Sequence, residues 1–204
     1  MLKTTFIDLI SKYTNDDRLI TELWAEIEQK YTAKQRHYHT LTHLQSLLKQ
    51  LLEIKDKIAN WDPILFTLYY HDIIYDAQKG DNEEKSAELA EIRMKQLSVP
   101  DQFIIICKSQ ILATKNHLSD HDSDTNYFTD ADLSILGQAL EDYTIYYQNI
   151  RKEYAVYPDL IYKSGREKVL QHFLMMERIY KTDYFYHKFE HQAKKNLQFE
   201  LEHL

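Results

Sequence analysis

Glycine and proline are scarce in this chain, with three of each among 204 residues. Average usage would place about 12% of a chain in these two residues. Sandwiches and barrels turn at Gly and Pro. Doubly wound α/β folds need glycines where strands run into helices. The shortage therefore argues against an all-β fold, a Gly-rich phosphate loop and a disordered linker. It leaves an all-α chain joined by polar loops.

A chain of this length can bury a sizeable core without staples. Its one cysteine, Cys107, follows Phe103-Ile104-Ile105-Ile106 and reads as a buried thiol. With no intrachain disulfide available, a reducing, cytoplasmic setting is expected. No apolar run reaches the roughly 18 residues of a membrane span. The opening residues, interrupted by Lys3 and Asp8, do not read as a secretory leader. The formal net charge of −7 disfavours nonspecific binding to a nucleic-acid polymer, which rests on Lys and Arg neutralising phosphates. No repeat, low-complexity stretch or compositional break divides the chain, so residues 1–204 read as a single helical domain. The sequence leaves a homo-oligomer open.

Helical periodicity sets the order of elements. Asp16-Asp17 caps a helix carrying Leu19, Leu23, Trp24 and Ile27. A second runs over about 40–59, with Leu44, Leu47, Leu48, Leu51 and Leu52 along one face. Pro63 suits the first turn of a helix to about Tyr75 that is apolar nearly all round and therefore central. Asn82 caps the next, and Pro100 opens one to about Thr114. Residues 115–129 are polar and read as a loop. A short helix over 130–136 ends at Gly137. Long helices follow over about 138–156, from Pro158 past Gly165 to Tyr180, and from Asp183 to the end.

Three clusters could carry chemistry. In Arg36-His37-Tyr38-His39-Thr40-Leu41-Thr42-His43, two histidines stand four apart, the spacing that puts two imidazoles on one helix face. Thr40 looks like an N-cap, which makes His43 helical and leaves His39 just ahead of it. Tyr70-His71-Asp72 places an imidazole and a carboxylate inside an apolar segment. A buried charge there needs a partner or a metal. Thr129-Asp130-Ala131-Asp132 offers two carboxylates, read either as helix capping by Asp130 or as completing a metal site. Together they form a mixed set: imidazole suits Fe, Ni, Zn and Mn, and carboxylate suits Mg and Mn. Such a site can activate water and polarise a phosphoryl oxygen.

The order His, then His-Asp, then a distant Asp in an all-helical chain resembles the HD-domain superfamily of metal-dependent phosphohydrolases. The resemblance is sharpest to a branch of uncharacterised bacterial members. It is carried by Arg36-His37-Tyr38-His39, His71-Asp72, Asn82-Glu83-Glu84, Ala113-Thr114-Lys115, Asp130-Ala131-Asp132 and Gly165-Arg166. It implies a helical bundle with His43, His71, Asp72 and Asp132 holding a divalent metal at its centre. That metal would be Mn, Mg, Fe, Ni, Co or Zn. His39 and Asp130 would join or orient the ligands.

The implied activity is hydrolysis of a small phosphate ester or phosphoanhydride, a nucleotide above all. Glu83 or Glu84 would act with Asp72 in catalysis, as a base toward water. Arg36, Lys115, His117, Arg151 and Arg166 are the candidates for contacting phosphate, Arg being suited to a bidentate grip. A solvated loop end for Lys115 and His117, and an ion pair with Glu153 or a nearby carboxylate for Arg151, are the plainer readings. The crowd of Tyr143, Tyr146, Tyr147, Tyr154, Tyr157 and Tyr162 reads as core packing before it reads as a wall for stacking a base. The rivals are a non-catalytic metal- or nucleotide-binding module on the same scaffold and a di-iron oxygenase.

Overall fold

A computed structural model describes residues 1–204, which form ten α-helices and no strand. The all-α expectation from glycine and proline scarcity is met. The chain makes two compact units, residues 1–129 and 130–204.

The first unit is built on α1 (Leu2–Ile10), α2 (Asp17–Tyr31), α3 (Leu41–Glu53), α4 (Trp61–Tyr70), α5 (Asn82–Gln96) and α6 (Asp101–Ala113). Asp16 caps α2 as expected, its carboxylate accepting from the amides of Arg18 and Leu19. Every residue of α4 from Pro63 to Tyr70 is buried, and α1, α3, α5 and α6 pack around it. Tyr69 shows how this centre is pinned. Its ring meets Phe6 of α1 edge-on, at a centroid distance of 4.9 Å, and its hydroxyl donates to Leu2 O. Cys107 is fully buried on α6, and burial pushes its thiol up to about 12, so it stays protonated.

Two helix ends fall earlier than periodicity predicts. α3 stops at Glu53 and passes into a 3-10 turn, Lys55–Lys57. α4 stops at Tyr70, so His71 is its C-cap and Asp72 lies beyond it. Beyond that point the backbone finds other partners. Ser86 Oγ bridges the amide and carbonyl of Ile74. Asn82, expected as a cap, is the first residue of α5. Its amide group instead ties down residues 76–79, accepting from Asp76 N and donating to Asp76 O.

The expected loop over 115–129 is half wrong: α7 (Ser123–Asp132) begins inside it. Its polar sequence hid a capped, partly buried helix. Asp122 accepts from the amides of Asp124 and Thr125 and from the Thr125 hydroxyl. Asp124 is fully buried because its carboxylate takes the amides of Ala59 and Asn60 at 2.9 and 2.7 Å.

The second unit holds the last turn of α7, a 3-10 turn (Leu133–Gly137), α8 (Leu140–Glu153), α9 (Asp159–Met175) and α10 (Asp183–His203). α9 ends well before Tyr180. The segment that follows it is held by side chains: Glu190 takes the amides of Ile179 and Tyr180, and Asp130 takes those of Lys181 and Thr182. Gly137 is required by close approach, since a Cβ there would stand 2.5 Å from that of Phe189 on α10.

Candidate metal centre

The early end of α4 creates the site. Adjacent residues inside a helix do not face each other. With His71 at the cap and Asp72 outside it, Asp72 Oδ2 instead comes 3.1 Å from His71 Nε2. His43, the third residue of α3, brings its own Nε2 to 3.2 Å from His71 Nε2 and 3.7 Å from Asp72 Oδ2. His39, just ahead of α3, places its Nε2 3.9 Å from the same oxygen. Three imidazole nitrogens therefore converge on one carboxylate oxygen, all within the first unit. His43 and His71 are buried, and the Asp72 side chain keeps 19% of its surface exposed.

Helix α7 carries the remaining expected ligand, Asp132. Phe128 lies edge-on to the His71 ring, at a centroid distance of 5.5 Å. Asp132 stands one turn further along the same unbroken helix, on the same face. His43 and His71 each turn a ring nitrogen to the same point of the first unit as a possible ligand atom. This group could hold a metal ion.

The hydrogen bonding of His71 bears on that fit. Its Nδ1 is 3.1 Å from Leu68 O. A carbonyl only accepts, so Nδ1 carries the proton and a neutral His71 presents the lone pair of Nε2. Metal-binding histidines are commonly oriented in this way, by a backbone carbonyl on the far nitrogen. That lone pair faces a carboxylate oxygen and a second imidazole. A proton on His43 Nε2 or a metal ion among these atoms would each meet that lone pair.

Asp130 turns away from this role. Its two oxygens accept from Lys181 N, Thr182 N and Thr182 Oγ1 at 2.7 to 2.9 Å, so it fastens the segment before α10. Burial raises its pKa. It sits in the last turn of α7, so the capping alternative fails as well.

The expected phosphate contacts are engaged inside the chain. Arg36 donates to His39 O and Ile73 O. Arg151 pairs with Asp159 and lies over the Tyr162 ring, in line with its plainer reading. Arg166 forms a buried bidentate pair with Glu200, at 2.7 and 2.9 Å, and Tyr143 also donates to that carboxylate. Tyr143 itself is fully buried, as core packing requires. Lys115 pairs with Glu84 and donates to Gly80 O. The bond from Lys115 lowers the pKa of Glu84, which weakens it as a base. Glu83 stands 4.0 Å from the same lysine. His117 occupies a left-handed turn after α6, at φ 50°.

Lys181 was missed. Its side chain is 9% exposed and its Nζ stands 3.5 Å from Asp130 Oδ1 without a hydrogen-bond partner. Burial lowers its pKa against the pull of Asp130 and Asp132. Neither Lys181 nor its neighbours form a motif, so only the fold could reveal it.

No helix is long and apolar enough to cross a membrane. Comparison of the chain with protein-family models, with curated proteins and with solved structures finds no match.

Proposed function

We propose that this chain is a metal-dependent phosphohydrolase of the HD type, acting on a small phosphate ester or phosphoanhydride, with nucleotides the favoured class. The observation that carries the reading is the convergence of His39, His43 and His71 Nε2 on Asp72 Oδ2. His43, His71, Asp72 and Asp132 would hold a divalent ion, with His39 beside them. A mixed imidazole and carboxylate set suits Mn, Fe, Co, Ni or Zn better than Mg.

When bound, such an ion supplies a lowered pKa for water and a Lewis acid for a phosphoryl oxygen. The chain does the rest. Leu68 O holds the His71 ring so that Nε2 faces inward. Of the two glutamates, Glu83 is the better base, because Glu84 is held by Lys115.

The test is a screen of nucleotides and general phosphatase substrates with protein loaded with Mn, Mg, Ni or Co. Turnover that depends on the metal and is lost in Asp72→Ala supports the reading. Metal retention with no turnover under any ion would favour the binding module.

A further inference from the structure

Arg36 is a buried cation with an unusual set of partners. Its residue is 7% exposed, and its Nε is buried without a hydrogen-bond partner. No carboxylate pairs with it. Its guanidinium lies 4.7 Å from the Tyr31 ring centroid and 5.5 Å from that of Tyr75. Cation–π contacts of this kind offset only part of the cost of burying a charge. Something else must keep an arginine at this point.

The two bonds it does make identify that role. One guanidinium nitrogen donates to His39 O at 3.1 Å and the other to Ile73 O at 2.9 Å. His39 carries one of the converging imidazoles and leads into α3, which carries His43. Ile73 follows directly on His71-Asp72. The rigid fork of one guanidinium thus ties the segment bearing His39 and His43 to the segment bearing His71 and Asp72. A third tie runs through an aromatic ring. Tyr75, under the guanidinium, packs on the His39 ring at a centroid distance of 4.2 Å with a 32° tilt.

We propose that Arg36 is the positioning residue of the metal centre, setting the separation of its two ligand-bearing segments through the carbonyls of His39 and Ile73. Its donors serve the chain, so it is no substrate contact. The inference rests on the metal reading above, though not on any activity. A Lys in its place keeps the charge but lacks the planar fork that spans two acceptors.

The experiment is a Co(II) titration of wild type, Arg36→Lys and Arg36→Met, read by calorimetry and by the visible absorption of the bound ion. Partners behind metal ligands are typically worth about 10–100-fold in metal affinity. We expect Arg36→Met to lose affinity in that range and to shift the Co(II) spectrum, with Arg36→Lys recovering only part of each. Gly137→Ala, which lowers stability by packing alone, is the control and should keep both. Wild-type affinity and spectrum in Arg36→Met overturn the proposal. If the Met variant does not fold, the same two outcomes in Arg36→Lys decide it. A wild-type protein that binds no Co(II) brings down the metal reading and this proposal together. Binding unchanged in the variants brings down this proposal alone.

Discussion

Each unit contains a cluster of buried polar side chains, and the two are built on opposite principles. In residues 130–204, the Glu200 carboxylate receives both arms of Arg166 and the Tyr143 hydroxyl. Charges cancel, donors meet acceptors, and the cluster is closed. In residues 1–129, His71 Nε2 faces Asp72 Oδ2 at 3.1 Å and His43 Nε2 at 3.2 Å, with its proton held at the far nitrogen by Leu68 O. Imidazole nitrogens gather there around one carboxylate oxygen, a donor set that a cation could share. Burial and polarity alone do not distinguish structure from function. The pairing within each cluster does.

The largest effect should come from breaking the open cluster. Replacing His71 by Ala removes the most buried ligand, and metal-dependent turnover should fall by more than about 100-fold, beyond the loss typical of a partner behind a ligand. Steady-state rates at saturating Mn check this. Near-wild-type rates would move the reaction elsewhere.

Breaking the closed cluster should act on stability alone. Arg166→Met leaves the Glu200 carboxylate buried with only Tyr143, and severing a buried pair costs about 3–5 kcal/mol. Denaturant unfolding should show that loss while the metal content of the folded protein stays at the wild-type level. Lost phosphate binding with undiminished stability would restore Arg166 as a substrate contact.

Gly137→Ala should destabilise less, by about 1–3 kcal/mol, the usual cost of overpacking. Its new Cβ must displace Phe189, whose own Cβ and carbonyl oxygen stand at 2.5 and 2.8 Å. Thermal unfolding against wild type measures it.

Lys181 gives the smallest effect and a pH signature. Burial lowers its pKa below the ordinary 10.5. Between its folded and unfolded values, unfolding takes up a proton, so its contribution to stability rises with pH across that window. Subtracting the melting profile of Lys181→Met from that of wild type isolates the term. A flat difference up to about pH 11, beyond the ordinary lysine value, would contradict the lowered pKa.

Much of the fold was legible because apolar spacing carries it. The leucines of α3, the apolar sweep of α4 and the helix starts at Pro100 and Pro158 all sit close to expectation. The misses are polar. α7 read as a loop because Asp122 and Asp124 look like loop residues until the first caps the helix and the second meets Ala59 and Asn60. α4 read too long because the partners that hold the chain beyond it, Arg36 and Ser86, are remote in sequence.

The site divides in the same way. His43 and His71 stand out by residue type and position, and the first unit brings their rings together, whereas Asp132 is singled out only by the family resemblance. What Asp130, Arg36, Arg166 and Lys181 do depends on partners up to 52 residues away, which no local pattern encodes.

An open cluster that takes a metal ion should keep it through purification. Elemental analysis of protein purified without chelators, reloaded with Mn or Co and dialysed, tests it most directly when wild type and Asp72→Ala are run together. Wild type should retain an ion and the variant should lose it. No retained metal in wild type, or full retention in Asp72→Ala, would contradict it.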